Sequence, residues 1–424
     1  MAFETIELSS ERAKTGRAWG EFQLSILDDL SKSVPPEQIS SRVRKEIKEF
    51  YNDKDTRDRQ IAISVNDSCN LKCGHCYYAS THIDVPQNTA NDLTLEEWKS
   101  VLDRGIDAGF TYYSLLGKEP LLTPDITLGI IKHLEEQKKQ VPEIKWEMVT
   151  NGTLIPPNER KIREIKNSVG FSPELISISF DGYREDHDAV RGKGTYEQAK
   201  KGLRILKDLD AVRRTVTHTV MEDNVELSDL MVRDLAENGA QYFSMGFYFP
   251  TSFNKKLLNS DKKIGAFERL IAKLENAPRD LEGTISVNIV ADEQPNLIAE
   301  LYRQGYFNGT VYVGEELGPA LVIPVRNNPK TMIQVNVLPM MLYQGFRIDH
   351  TGNVMDYCAD LRSPERTGGF GNIKRQSVPE LVNISREKIW PAYTEQFFKR
   401  LSDGFKGVNV PAVEGWYPQN GSNK

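Results

Sequence analysis

Three of the four cysteines in this 424-residue sequence lie in one short segment. Cys69, Cys73 and Cys76 occur in the run Cys-Asn-Leu-Lys-Cys-Gly-His-Cys, with three and then two residues between consecutive thiols. This crowding is unlike the disulfide framework of a small secreted protein. Thiolates are the usual ligands of iron–sulfur clusters. Three thiolates on a four-iron cluster would leave one iron open to an outside ligand.

A zinc site is the alternative interpretation of the same loop. The fourth ligand would then be Cys358, His75 or His82. Zinc sites usually combine two closely spaced pairs of ligands, such as two Cys-x-x-Cys units. The sequence contains no second pair, so the pattern favours a cluster. A zinc-stabilised binding protein without catalysis stays open as the alternative from another class.

The elements that must position this loop begin near residue 61, where short β-rich runs start to alternate with amphipathic stretches. We predict strands over 61–65, 111–116, 145–150, 175–180, 214–221 and 242–249. We predict helices, from apolar residues at three- and four-residue spacing, over 94–108, 127–139, 196–209 and 227–238. Six βα units predict an α/β fold, a partial (β/α)6 barrel of the TIM type with its chemistry at the carboxyl ends of the strands. The cysteine loop follows the first strand directly.

The remaining segments are predicted to flank this barrel. A Gly- and Pro-containing stretch covers 305–339, and 345–358 reads as a hairpin. The predictions divide the chain into a helical N-terminal appendage (1–58), the barrel (59–255), a connecting region (256–340), a small C-terminal α+β extension (341–405) and a tail (406–424).

Charge and composition narrow the function classes. A net charge of −6 and a pI near 5.7 argue against the basic surface of a nucleic-acid-binding protein. No apolar run approaches the roughly 18–20 residues that span a bilayer. The first residues have neither the basic start nor the apolar middle of a signal peptide. We therefore expect a cytoplasmic protein with no nucleic-acid partner and no membrane partner.

The cysteine spacing resembles the signature of the radical S-adenosylmethionine (SAM) superfamily, and further segments between residues 60 and 250 strengthen the resemblance. Residues 116–120 read Leu-Gly-Lys-Glu-Pro and are similar to the family's Gly-Gly-Glu-Pro segment, which binds the methionine amino group. Residues 150–152 read Thr-Asn-Gly and are similar to the family segment near the ribose. The resemblance implies one 4Fe-4S cluster on Cys69, Cys73 and Cys76, and contacts to S-adenosyl-L-methionine from Gly117, Lys118, Glu119 and Asn151.

A third segment resembles the branch of the family that modifies peptides. Residues 177–182 read Ser-Ile-Ser-Phe-Asp-Gly, followed by His-Asp at 187–188 and Arg-Gly at 191–192. The resemblance implies that Ser179 and Arg191 hold the carboxylate or the ribose of the cofactor. A guanidinium suits a carboxylate because its planar fork binds both oxygens. The alternative for both residues is a purely structural role.

The fourth cysteine, Cys358, lies in a segment over 346–373 that resembles the SPASM/twitch-like C-terminal extension of peptide-modifying members. Such extensions commonly hold further clusters on several cysteines. This segment contains a single thiol, and one thiol does not hold a cluster in the manner of four. We therefore expect a single cluster per chain.

One cluster with one downstream cysteine resembles the proteusin-type peptidyl epimerases, which convert L residues of a ribosomally made precursor into D residues. The resemblance implies a precursor-peptide substrate, an electron donor such as flavodoxin or ferredoxin, and Cys358 as the donor of a hydrogen atom. Two alternatives stay open. Either Cys358 is a buried small hydrophobic residue, as free cysteines often are, or the chemistry is another radical reaction. Crosslinking, decarboxylation or dehydrogenation of a peptide or a small metabolite are the examples.

Overall fold

The computed structural model describes residues 10–50, 59–76, 90–209, 213–248, 260–291, 293–308, 312–314, 320–339, 345–355, 369–408 and 410. In this part of the chain, 13 strands form one sheet. Its centre is a run of parallel strands that follow each other in sequence order. They are β1 (Gln60–Ser64), β2 (Tyr112–Leu116), β3 (Lys145–Thr150), β4 (Leu175–Ser179), β5 (Arg214–Val220), β6 (Tyr242–Phe247) and β7 (Ile285–Val290).

Helices connect these strands and flank the sheet. They are α1 (Ser10–Ser31), α2 (Pro36–Phe50), α3 (Leu95–Asp107), α4 (Pro124–Lys138), α5 (Ile155–Ser168), α6 (Glu185–Arg191), α7 (Thr195–Asp208), α8 (Ser228–Glu237), α9 (Ser260–Leu274), α10 (Pro295–Arg303), α11 (Val378–Ile384) and α12 (Trp390–Phe405). A π-helical turn, Ser385–Ile389, joins α11 to α12. None of the helices in the described ranges is long and apolar enough to cross a bilayer.

Two sets of strands extend the central run. On the β7 side, β10 (Thr331–Asn336) pairs parallel to β7, and β9 (Ala320–Pro324) and β8 (Tyr312–Gly314) follow it antiparallel. On the β1 side, β11 (Gly345–Ile348) pairs parallel to β1, and β12 (Asn353–Met355) and β13 (Gly371–Asn372) follow it antiparallel. The sheet order is β13-β12-β11-β1-β2-β3-β4-β5-β6-β7-β10-β9-β8. The chain therefore has the α/β fold of a partial barrel with N-terminal helices and a C-terminal extension.

All six predicted barrel strands are confirmed, with ends within two residues of the prediction. The parallel run, however, does not stop at the sixth strand, because β7, β10 and β11 continue it. Strands β8, β9 and β10 lie in the Gly- and Pro-containing stretch over 305–339, for which no strand was predicted. The glycine and proline that weaken the strand pattern of β8 and β9 lie at strand ends. Gly314 is the last residue of β8, and Pro324 is the last residue of β9. Proline and glycine are tolerated at a strand end, where the backbone N–H need not bond to a neighbouring strand.

Helix α5 is an element that the sequence patterns did not predict. It opens with Pro156 and Pro157, which resemble a helix break. Both prolines lie in the first turn, where the missing N–H would have had no partner within the helix. Ile155, Ile162 and Ile165 lie at helical spacing and are buried against the sheet. The prolines therefore start this helix rather than interrupt it.

Hydrophobic packing joins the N-terminal helices to the rest of the molecule. Helices α1 and α2 pack against α12, and Trp19, Leu27 and Val43 belong to the same buried core as the barrel. Lys48 Nζ lies 3.6 Å from Glu387 Oε1 in the π-helical turn.

Strand β1 is buried on both faces over most of its length, as expected for a parallel strand covered by helices. The carboxyl end of β1 is thus a rigid starting point for the cysteine loop.

Candidate active site

A cavity of about 360 Å³ opens at the carboxyl ends of the central strands. All three cysteines of the loop after β1 line this cavity. Five of the six residues predicted to contact the cofactor also line it, namely Gly117, Lys118, Asn151, Ser179 and Arg191. The sixth, Glu119, is not among the lining residues. Cys358 lies outside the described residues.

Hydrogen bonds fasten the start of the cysteine loop to the end of β2. Asn66 Nδ2 donates to the backbone oxygen of Glu119 at 3.0 Å and to Thr123 Oγ1 at 2.9 Å. The Glu119 N–H donates to the Ser68 carbonyl oxygen at 3.1 Å. Asn66 and Ser68 are buried. Water does not compete for their hydrogen bonds there, so these bonds keep their geometry. The residues just before Cys69 are therefore fixed to the Gly-Lys-Glu segment.

Two contacts fasten the end of the cysteine loop to the region after β4. The Gly74 N–H donates to the Val190 carbonyl oxygen at 3.0 Å. His75 Nε2 lies 3.3 Å from Asp181 Oδ2. The loop is thus held at both ends by strand ends that are distant in sequence, and its three thiols face the cavity between them.

Burial governs the ionisation of the thiols in the cysteine loop. Burial raises the pKa of the Cys69 thiol to about 12 and that of Cys73 to about 11. A thiolate in this position therefore needs positive charge beside it, which cluster iron supplies. Among the described residues, no three His, Cys, Asp or Glu side chains converge on a position for a single metal ion. His82 and Cys358, two of the candidate fourth ligands of a zinc site, lie outside the described residues.

The Gly-Lys-Glu segment after β2 combines a strained turn with an ion pair. Gly117 has a φ of +126°, which favours glycine because a Cβ is disfavoured there. The Lys118 side chain is 2% exposed, and its Nζ lies 2.6 Å from Asp67 Oδ1. Lys118, which stands where the family has glycine, is therefore tied back to the residues before the cysteine loop.

Glu119 is fully buried beside the cavity, and its carboxylate is occupied by neighbouring donors. Oε1 accepts from the Leu121 N–H at 3.0 Å and from the Thr150 hydroxyl at 2.8 Å, and Oε2 accepts from the Asn151 N–H at 2.8 Å. Burial raises the pKa of Glu119, against the effect of these donors. In this structure the side chain joins the end of β2 to the end of β3, and it caps the short helical turn Pro120–Leu122.

Asn151 lies next to the first cysteine. Its Nδ2 donates to Asn70 Oδ1 at 2.9 Å and lies 3.9 Å from Cys69 Sγ. Its Oδ1 accepts from the Thr153 N–H at 2.9 Å. The Leu71 N–H also donates to Cys69 Sγ, at 3.4 Å. Asn151 therefore contributes to the cavity wall and to the polar surroundings of a predicted cluster ligand.

Small residues line the cavity wall farther along the sheet from the cysteine loop, and of these the sequence patterns indicated only Ser179. Ser179, Thr217 and Ser244 lie side by side in register on β4, β5 and β6. Asn288 lies on β7 in register with Gly246 of β6. All five line the cavity. The available signal was the alternation of small polar and large apolar residues along these strands.

The pair of Asn288 and Ser244 has a defined polarity. Asn288 Nδ2 donates to Ser244 Oγ at 2.9 Å and to the Ser286 carbonyl oxygen at 3.4 Å. The Ser286 carbonyl only accepts, so it fixes which end of the Asn288 amide carries the hydrogens. Asn288 Oδ1 is then an acceptor and the Ser244 hydroxyl a donor. The space beside them is open, because no atom of the described residues lies within 4 Å of where a Cβ on Gly246 would stand.

Comparison with known proteins gives a match to a family model and a shared fold. The family model "Radical SAM superfamily" matches residues 63–231. The AdoMet-dependent heme synthase of Methanosarcina barkeri is 33% identical over 195 residues, which are 46% of this chain and 51% of that protein. The antilisterial bacteriocin subtilosin biosynthesis protein AlbA of Bacillus subtilis is 30% identical over 182 residues, which are 42% of this chain and 36% of that protein. The chain thus spans about half or less of the length of these curated relatives.

Solved structures agree on the fold. Streptococcus suis SuiB bound to S-adenosylmethionine has a TM-score of 0.54 at 14% identity, covering 82% of this chain and 70% of that one. SuiB bound to its precursor peptide SuiA has a TM-score of 0.56 at 15% identity, covering 86% of this chain and 74% of that one. Identity this low shows the fold alone. The match of residues 63–231 to the radical SAM superfamily model and the likeness of the fold agree with each other, and enzymes of that superfamily use a 4Fe-4S cluster and S-adenosylmethionine.

Proposed function

We propose that this radical SAM enzyme acts on a ribosomally made precursor peptide and converts L residues into D residues. The observation that carries the proposal is the cavity at the strand ends, where three thiols line one side and a donor–acceptor pair suited to an amide lines another. The residues of the chain divide into those that hold the cofactors, those that hold the peptide and one that returns hydrogen.

The first group holds the cofactors. Cys69, Cys73 and Cys76 bind the cluster, and the backbone of Gly117 and Lys118 with the buried Glu119 forms the amino-group side of the SAM site. Asn151 lies on the ribose side, and Ser179 and Arg191 hold the carboxylate. When bound, the reduced cluster supplies the electron that cleaves SAM and so provides the radical that removes a hydrogen atom.

The position of Arg191 supports its assignment. Arg191 lines the cavity, and its Nε donates to Asp181 Oδ2 at 2.5 Å. This bond leaves the two terminal guanidinium nitrogens for a ligand, and such a pair of donors matches the two oxygens of a carboxylate. The charge of the cofactor carboxylate would then be met by a cation that is already held in place.

The wall formed by β6 and β7 suits the backbone of a peptide. A peptide bond offers one N–H donor and one C=O acceptor. Asn288 Oδ1 is placed to accept from the former and the Ser244 hydroxyl to donate to the latter. Gly246 leaves room for the approach of another backbone because it carries no Cβ. We therefore assign Ser244, Gly246 and Asn288 to substrate binding.

The cavity has the size of a small-ligand site. Drug-sized ligands occupy pockets of roughly 300–1,000 Å³, and the cavity of about 360 Å³ is at the lower end of that range. Two of the comparison proteins are linked to peptides. SuiB was solved with the precursor peptide SuiA, and AlbA is a biosynthesis protein of the bacteriocin subtilosin.

Cys358 is the proposed hydrogen donor. Strand β12 runs antiparallel to β11, and β11 runs parallel to β1. The chain at Met355 is therefore directed toward the amino end of β1, and Cys358 itself lies outside the described residues. Its assignment rests on its being the one cysteine of the sequence outside the cysteine loop. A thiol on the face opposite the one that lost its hydrogen would return hydrogen there and invert the carbon.

The atoms and electrons of the proposed reaction balance. The substrate Cα loses one hydrogen atom to the cofactor-derived radical, and the Cys358 thiol gives one hydrogen atom to the opposite face. The resulting thiyl radical takes up one electron and one proton, which restores the thiol. An external one-electron donor such as a flavodoxin or a ferredoxin supplies the electrons.

The second candidate function is another radical reaction on a peptide or a small metabolite. It is favoured by the identity to a heme synthase, which is 33%. Mass distinguishes the two candidates. A peptide encoded beside the gene for this chain should be coexpressed with it and its mass measured. Epimerisation leaves the mass unchanged and yields D residues on hydrolysis, whereas dehydrogenation, decarboxylation or crosslinking lowers the mass and would refute the first candidate for that peptide.

A further inference from the structure

One buried carboxylate, Asp181, connects the cysteine loop to Arg191. Asp181 follows the end of β4 and is 0% exposed. Its Oδ2 accepts from Arg191 Nε at 2.5 Å and lies 3.3 Å from His75 Nε2. Its Oδ1 accepts from the Thr219 N–H at 2.8 Å. Both carboxylate oxygens are thus held by groups on three other parts of the chain.

The position of this carboxylate is itself fixed. The Asp181 N–H donates to His187 Nδ1 at 3.2 Å, so the backbone is held as well as the side chain. Gly182 follows with a φ of +122°, and a Cβ there would stand 2.7 Å from Asp186 Cβ. Burial by itself raises the pKa of Asp181, but the Arg191 guanidinium and then His75 and His218 hold it well below its usual range. Asp181 is therefore an immobile anion at neutral pH.

The arrangement separates the two ends of the Arg191 guanidinium. Nε donates to Asp181, so the terminal nitrogens are the part of the guanidinium left for a ligand in the cavity that Arg191 lines. A second link runs beside it, because the Gly74 N–H donates to the carbonyl oxygen of Val190. The residue before Arg191 and the residue before His75 are thereby bonded to each other.

We propose that Asp181 is a positioning residue, which aims the terminal nitrogens of Arg191 at the cofactor carboxylate and keeps the cysteine loop in register with them through His75. The inference rests on the assignment of Arg191 under the proposed function. A structural ion pair buried in a wall would be the plain alternative. The two differ in whether the effect of Asp181 on cofactor binding passes through Arg191.

A double-mutant cycle tests the proposal, with SAM itself as the probe. Full-length wild type, Asp181→Asn, Arg191→Ala and the double variant are reconstituted without air, and iron content and the dissociation constant of SAM are measured for each. The change of the electron paramagnetic resonance spectrum of the reduced cluster on addition of SAM serves as a second readout. Glu135→Gln is the matched control, because Glu135 is a buried acid bonded to Trp146 and Ser172 and does not line the cavity.

We expect Asp181→Asn to keep its iron and to bind SAM roughly tenfold or more weakly, a loss of about 1.4 kcal/mol or more. The double variant should bind SAM within about twofold of Arg191→Ala, since Asp181 acts through Arg191. Glu135→Gln should bind SAM as the wild type does. If Asp181→Asn does not retain iron, Asp181→Glu replaces it in the cycle, because it keeps the charge and displaces the carboxylate by one methylene group.

Two results would overturn the proposal. One is an iron-loaded Asp181 variant with wild-type affinity for SAM, and the other is a double variant whose loss equals the sum of the two single losses. Failure of the proposed function has a different signature. In that case the unmodified enzyme binds SAM and iron but changes no peptide, or Arg191→Ala itself binds SAM as tightly as the wild type.

Discussion

Substitution of Gly246 by valine tests the assignment of the β6–β7 wall to substrate. Gly246 lies within β6 without a positive φ, and open space surrounds the position of its missing Cβ. A β-branched residue suits a strand, and removal of glycine flexibility stabilises a fold by roughly 0.4–1 kcal/mol where the backbone is compatible. We therefore expect Gly246→Val to fold, with a free energy of unfolding within about 1 kcal/mol of the wild type.

The substitution should weaken the binding of the substrate and not the stability of the fold. The isopropyl group enters the cavity next to Asn288, and forcing extra atoms into a fitted space costs roughly 1–3 kcal/mol. That range corresponds to a roughly 5- to 150-fold weaker interaction. The KM for the coexpressed precursor peptide should rise by this factor. Iron content, the dissociation constant of SAM and the formation of 5′-deoxyadenosine without peptide should stay near wild type.

Two controls make this experiment decisive. Gly283→Val should lower the melting temperature strongly, because a Cβ there would stand 2.6 Å from the backbone oxygen of Gln241. Ser177→Ala removes a hydroxyl from the same barrel interior but from a residue that does not line the cavity, and it should leave the KM unchanged. A Gly246→Val enzyme with wild-type KM would refute the assignment of this wall, and so would one that loses SAM affinity instead.

Three further predictions follow from the site. Reconstituted wild type and Cys358→Ala should each carry about four irons per chain, and about eight irons, or loss of iron in the variant, would contradict a single cluster on three cysteines. Glu119→Ala should weaken SAM binding and keep iron, because the carboxylate holds the Asn151 N–H at the cavity wall, and unchanged affinity would assign Glu119 to the fold alone. Ser244→Ala and Asn288→Ala should each raise the KM for the peptide without changing the dissociation constant of SAM, as checked by steady-state kinetics and titration.

The barrel strands could be predicted because their signal is local. Each central strand is a short run rich in β-branched, aromatic and other apolar residues between turn residues, which is the local pattern of a strand. Strand β8 ends in a glycine and β9 in a proline, so the same local pattern was weaker there. Their membership of the sheet depends on pairing with β7, and such long-range pairing leaves no mark within a short window of sequence.

The parts of the site that lie in contiguous sequence motifs could be predicted. The parts that depend on contacts between segments distant in the sequence could not. The cysteine spacing and the Gly-Lys-Glu and Thr-Asn-Gly segments are contiguous, and the structure brings them to one cavity. The direction of the Glu119 side chain was not predictable, because it depends on the Asn151 N–H at the next strand end. The contact of His75 with Asp181 joins residues more than a hundred positions apart. Such partners become visible only once the strands are in register.

The fate of hydrogen in a Cys358→Ala enzyme tests the central claim most directly. Wild type, Cys358→Ala and Cys358→Ser are incubated with SAM, a one-electron reductant and the coexpressed precursor peptide in heavy water, and 5′-deoxyadenosine and D residues are quantified. A thiol hydrogen exchanges with solvent, so the wild type should place one deuterium at each inverted Cα. Both variants should still form 5′-deoxyadenosine in the presence of peptide but accumulate few or no D residues. Inversion at the wild-type rate in either variant, or wild-type product without deuterium, would show that Cys358 is not the donor and would contradict the epimerase account.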